Sequence, residues 1–160
     1  MSKAADDSRR VLLCVTGLSP QVVTETVYAL AVKRNWIPTQ IRLITTAEGA
    51  KRARLSLLSE DPGWFQRICD DYRLPPIQFT SEDILTLRDD QGLPLEDIRT
   101  LRDNELAADY IVEQVRELTG DQHGELHVSI AGGRKTMGFY LGYALSLFGR
   151  PQDRLSHVLV

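Results

Sequence analysis

An apolar strand that runs into two glycines and then directly into a helix constrains this chain more than any other stretch. Leu126 to Ile130 is apolar, Gly132 and Gly133 end it, and Arg134, Lys135, Thr136 and Met137 lead into the small and aromatic run Gly138 to Phe148. Strand, tight turn and helix in that order make one βα unit, which sets unpaired backbone N–H groups and a helix N-terminus at one point. The amides and the helix dipole both favour an anion there, phosphate above all. The run is not a P-loop, because Arg134 separates Gly133 from Lys135 and the upstream glycine position is Val128.

The same kind of unit opens the chain. Val11 to Val15 is a continuous apolar run, as in a strand buried on both faces. The turn Thr16-Gly-Leu-Ser-Pro-Gln21 follows, with Ser19 as N-cap and Pro20 at the first helical position, and Val22 to Lys33 has apolar residues at helical spacing. Ile41 to Thr45 reads as a strand, Ala47 to Leu58 and Trp64 to Tyr72 as helices, and Ile77 to Phe79 as a third strand. Ile84 to Leu95 reads as a hairpin around Asp89-Asp-Gln-Gly92, either a mobile cover over the ligand or an edge hairpin with no role, Thr100 to Leu118 as a long amphipathic helix, and Leu155 to Val160 as the last strand. This alternation predicts an α/β fold, a Rossmann-like, mainly parallel sheet with helices on both faces. Residues 1–10 read as a disordered N-terminal segment and 11–160 as one domain. The chain stops on an apolar strand, as a shortened one would.

Composition narrows the function classes. With 160 residues, 42% hydrophobic and 26% charged, the chain is expected to be soluble and globular. A net charge of −3 gives no general attraction to duplex nucleic acid, so an anionic ligand must be small and held by local positive groups. No signal peptide and no apolar run of membrane-spanning length is present, so no membrane partner and a cytoplasmic location are expected. Cys14 and Cys69 are isolated and read as core packing; no metal-ligand spacing links the histidines, and His157 reads as packed.

In open α/β sheets, ligands bind beyond the carboxyl ends of the strands, where strand order reverses. Two loops suit that position: Thr16 to Gln21, and Gly132 to Thr136. The first lacks G-x-G-x-x-G and the acidic ribose ligand beyond it, so no nicotinamide or flavin dinucleotide, and no other cofactor, is expected. Gly132 and Gly133 fit both a plain strand-to-helix turn and a phosphate cradle, Ser19 both a cap and a ligand contact, and Thr16 both a backbone bond and a ligand contact. Arg134 and Lys135 point more firmly to an anionic partner, because cations are unfavourable at a helix N-terminus.

Val11-Leu-Leu-Cys-Val-Thr-Gly-Leu-Ser-Pro-Gln21, Asp97-Ile-Arg-Thr100, Asp103-Asn104, Ser129-Ile-Ala-Gly-Gly-Arg-Lys-Thr-Met137 and Leu155-Ser-His-Val-Leu-Val160 together resemble the CRISPR-associated Rossmann-fold (CARF) proteins. The resemblance implies a homodimer that binds a cyclic oligoadenylate, the second messenger of type III CRISPR systems, across its two-fold axis. It further implies either a ring nuclease that cuts the ligand or a sensor that only binds it. The lack of a second domain favours the ring nuclease, acting without metal by attack of a ribose 2′-OH on its own 3′-phosphate. On that reading Lys135, Arg134 and Ser19 are catalytic. Thr16, Gly17, Gln21, Gly132, Gly133, Thr136 and Met137 bind the ligand, with cyclic tetra-adenylate the expected ring.

Overall fold

Val11 to Val15 forms the middle strand of the sheet, as its unbroken apolar run requires. The structure, a computed structural model, describes residues 8–157. Strand β1 (Arg10–Val15) pairs in parallel with β2 (Gln40–Thr45) on one side and β4 (Glu125–Ser129) on the other. Outside these lie β3 (Ile84–Thr86), parallel to β2, and β5 (Arg154–Ser156), parallel to β4. The five-stranded order is β3-β2-β1-β4-β5. The chain therefore builds outward from β1 through β2 to β3, then returns to the far side of β1 as β4. Strand order reverses between β1 and β4, and a crevice opens at their carboxyl ends.

Alternate residues of β1 face opposite cores, as strand geometry demands. Leu12 and Cys14 point into one cluster with Val23, Val27, Ala50, Ala53 and Phe65. These come from α1 (Gln21–Val27), α2 (Ala47–Ala53) and α3 (Trp64–Asp71). Val11, Leu13 and Val15 point into the other, with Ile111, Val115, Leu141 and Ala144 of α4 (Leu101–Leu118) and α5 (Lys135–Phe148). Helices α1 and α2 continue as wider, π-type turns over Tyr28–Lys33 and Arg54–Leu58. The expected α/β architecture, a Rossmann-like parallel sheet with helices on both faces, is what the chain forms.

Helix α4 starts where Thr100 and Asp103 cap each other: the Asp103 N–H donates to Thr100 Oγ1 and the Thr100 N–H to Asp103 Oδ2, each at 3.0 Å. Cys14 is buried and its thiol pushed up to about 12 by desolvation, which suits a core residue.

Several expectations are corrected. Ile77 to Phe79 makes only a single bridge, Gln78 to Gln40, and the third strand is Ile84–Thr86. Pro75-Pro76 precede that bridge, and the buried Asp83 carboxylate draws the next residues into a turn by accepting from Thr80 N at 2.8 Å and Gln78 Nε2 at 3.2 Å. Ile84 to Leu95 does form the expected hairpin, with Arg88 and Pro94 bridged antiparallel and the Asp89 N–H donating to Leu93 O at 2.8 Å. It is not wholly polar: Leu87 and Leu95 are buried, and Arg102 of α4 grips the Asp90 carboxylate at 2.5 and 2.9 Å. Pro20, not Ser19, is the N-cap of α1. Arg10 lies inside the segment expected to be disordered, yet it opens β1 and its Nε donates to Ile37 O at 2.8 Å. His157 is exposed beyond β5, not packed; Val158 to Val160 lie outside the described residues.

Candidate functional site

The crevice at the carboxyl ends of β1 and β4 has a volume of about 650 Å³. Both loops singled out in the sequence border it, and they touch: a Cβ on Gly17 would lie 4.0 Å from Gly133 Cα. Steric demand explains the glycine pair. A Cβ on Gly132 would sit 2.6 Å from Val15 O and 2.8 Å from Val22 Cγ1, while Gly133 has φ +76. The turn reading of these two residues is thus sufficient by itself, and it also leaves the backbone bare toward the crevice.

Thr16 ends β1 with its side chain fully buried. Its N–H donates to Ile44 O at 3.1 Å and its carbonyl accepts from Thr45 Oγ1 at 2.8 Å, so the backbone is satisfied. Thr16 is among the residues lining the crevice, and its buried hydroxyl has no hydrogen-bond partner. A buried orphan hydroxyl costs roughly 1–3 kcal/mol, so one at the mouth of a ligand crevice invites a ligand atom. Helix α5 begins beside it, and its N-cap Arg134 supplies no side-chain cap bond to the first turn. The Met137 N–H donates to Arg134 O at 2.9 Å, which leaves the Lys135 and Thr136 amides at the start of α5 for an acceptor.

The cations behave differently from expectation. Arg134 already has an anionic partner within the chain: its Nη2 donates to both Asp97 carboxylate oxygens at 2.8 Å, and its Nε to Asp97 Oδ1 at 3.3 Å. This guanidinium holds the Asp97 carboxyl below the usual carboxylate range, aided by the Ile98 N–H. Lys135 is exposed and, among the described residues, no hydrogen bond or ion pair reaches its side chain.

Of the residues expected at the site, Thr16, Gly17, Ser19, Gly132, Gly133, Arg134 and Met137 line the crevice. Met137 does so as a buried thioether whose Sδ would meet a Cβ on Gly133 at 3.2 Å, a packing role. Lys135 and Thr136 are exposed and not part of the lining. Gln21 is exposed too and borders a neighbouring groove with Tyr28, Trp64 and Tyr72. The wall to which the sequence reading gave no site role is the segment 96–99, part of it quoted there only for the family resemblance; it contributes Glu96, Asp97, Ile98 and Arg99, together with Thr46 and Glu48 after β2. Buried Ile98 and Leu95 anchor this segment, and the Ala47 N–H donates to Leu95 O at 2.7 Å. A signal existed: Thr100-x-x-Asp103 marks a helix start, and the residues just before a helix of a βα unit lie on the ligand side of the sheet. Glu48, Glu96 and Asp97 bring carboxylates to a site expected to be locally positive, against Arg99 and Arg134. Among the described residues no cluster of three His, Cys, Asp or Glu side chains could hold a metal ion.

Residues 19–160 match the family described as CRISPR-associated protein NE0113. The chain belongs to that family. The matched range contains Ser19, the segment 96–99 and the Gly132 turn. No curated protein matches the chain. Among solved structures, one similar to it is a Listeria monocytogenes protein provisionally named UDP-N-acetylglucosamine 2-epimerase, 15% identical with a TM-score of 0.41. The match covers 94% of this chain and 31% of that protein, so this chain spans under a third of its length. Among the described residues, no helix is long and apolar enough to cross a membrane.

Proposed function

We propose that this CRISPR-associated protein binds a cyclic oligoadenylate, with cyclic tetra-adenylate the expected ring, in the crevice between the β1 and β4 loops of a homodimer. The observation that carries the reading is the buried, unpartnered hydroxyl of Thr16, a residue lining the crevice, beside the Gly132-Gly133 turn and the N-terminus of α5. Those groups suit the phosphate and ribose oxygens of a nucleotide. CRISPR association and the resemblance to CARF proteins select which nucleotide.

The chemistry proposed is cleavage of the ring. A ribose 2′-OH attacks its own 3′-phosphorus, the bond to the 5′-oxygen of the next nucleotide breaks, and the products are a 2′,3′-cyclic phosphate and a free 5′-OH. The nucleophile belongs to the ligand, so the chain needs chiefly to align it and to stabilise charge on the phosphate. Lys135 supplies charge from the rim, Arg134 supports it, and Ser19 positions a ribose.

A second reading is a sensor that binds the ring and leaves it intact. It is favoured by Lys135 standing outside the crevice lining and by Asp97 occupying Arg134. Incubation with rings of three, four and six adenylates, followed by chromatography, decides between them. Linear products with cyclic phosphate ends support the nuclease, an intact but protein-bound ring supports the sensor, and no binding of any ring rejects both.

A further inference from the structure

The guanidinium of Arg134 stands at the N-terminus of α5, where a cation is disfavoured and an anion is not. The chain resolves this conflict by bringing a carboxylate from 37 positions away, at 2.8 Å to each oxygen. We infer that Asp97 is a built-in stand-in for the ligand's phosphate. Its carboxylate neutralises Arg134 until a phosphate enters, takes over the guanidinium and releases the 96–99 segment. The inference rests on the proposed reading of the crevice as a phosphate site and names how that site is regulated.

The geometry suits an exchange better than a permanent clip. The Asp97 and Arg134 side chains are 38% and 55% exposed, and ion pairs so open to water contribute little. A phosphate in the same place gains the guanidinium fork and carries more negative charge to the N-terminus of α5, where the helix dipole favours it. Asp97 also has somewhere to go: Arg99 Nε stands 3.9 Å from its Oδ2, a second cation on the same segment. Glu96 and Glu48 share the wall, so an unneutralised Asp97 carboxylate would be pushed away from the crevice once Arg134 is taken. Glu96, Asp97 and Arg99 would then loosen from the crevice, while Ile98 and Leu95 stay in the core.

The test compares the parent protein with Asp97→Asn, which keeps the shape and removes the charge. Each is titrated calorimetrically with cyclic tetra-adenylate and with inorganic tripolyphosphate, and amide exchange of residues 94–100 in the parent is followed with each ligand. The expected result is roughly three- to five-fold tighter binding by Asp97→Asn, the scale of an exposed ion pair. That gain should vanish in Arg134→Gln/Asp97→Asn, and exchange at 96–99 in the parent should quicken on binding. Equal or weaker binding by a folded Asp97→Asn overturns the proposal, as does unchanged or slowed exchange in the bound parent. Binding of tripolyphosphate without any cyclic ring rejects the oligoadenylate reading alone, and the tripolyphosphate arm then decides the exchange. Binding of neither ligand by parent or variant overturns both.

Discussion

At the scale of single residues, four positions separate local geometry from chemistry. Gly132 and Gly133 look alike in sequence but differ in what a methyl group would meet. At Gly132 it collides with backbone Val15 O, which cannot move without shifting β1; at Gly133 it meets the flexible end of Met137 but at φ +76. Gly133→Ala should therefore cost roughly 1–2 kcal/mol, the penalty for a left-handed non-glycine residue, and Gly132→Ala more, as read by urea denaturation. Thr16→Val keeps shape while removing the orphan hydroxyl. It should leave stability unchanged or raise it by about 1 kcal/mol, yet weaken nucleotide binding several-fold. A loss of stability without loss of binding would show the hydroxyl serving the fold. Lys135→Ala should lower ring cleavage about 10²–10³-fold while changing affinity far less, the usual effect of losing one charge-stabilising donor. Cleavage at the parent rate would remove Lys135 from the mechanism.

At the scale of elements, β4 carries a buried histidine between β1 and β5. His127 Nε2 lies 2.8 Å from Ser156 Oγ, and the ring packs on Trp36 at 5.1 Å between centroids. Burial, with smaller contributions from Arg34 and Arg154, pushes its pKa down to about 4 from the ordinary 6.5. The folded state thus binds fewer protons than the unfolded one between those values. Stability from this residue is complete above pH 6.5 and is lost as pH falls from 6.5 to about 4, by at most ~1.4 kcal/mol per unit. Denaturant midpoints at pH 7, 6 and 5 should fall accordingly, and His127→Asn should flatten that part of the profile. An equally steep profile in the variant would place the titration elsewhere. The capped start of α4 and the buried Leu95 and Ile98 anchor the segment 96–99 at the crevice, while Glu96 and Arg99 stay exposed to solvent.

At the scale of the whole molecule, α5 shows one stripe to the crevice-side core and another to solvent. Phe139, Tyr143 and Leu147, one turn apart, are 67%, 52% and 56% exposed, with the first two rings stacked 6.3 Å apart. An apolar stripe on a helix that starts at the proposed site suits the proposed homodimer, in which one ring would be shared by two crevices. Sedimentation equilibrium should show a dimer at micromolar concentration, and Phe139→Glu/Tyr143→Glu should yield monomers with ring affinity lowered at least ten-fold. A parent monomer, or one ring bound per chain, would rule out a shared site.

The sequence by itself determined the layer order. The unbroken apolar run Val11–Val15 must be buried on both faces, and the strand and helix patterns that alternate after it leave little besides a covered parallel sheet. It likewise determined the Gly132-Gly133 turn and the Thr100 cap, because those depend on residues at most a few positions apart. Only the tertiary structure decided who neutralises Arg134. Asp97 is distant in sequence and ordinary in type, and strand order carries it to α5 by placing β4 beside β1. The same holds for the third strand, where pairing with β2 and the Asp83 turn overrode the apolar run at 77–79. Local patterns fix what each segment is; the sign of the charge at the crevice depends on which segments the sheet brings together.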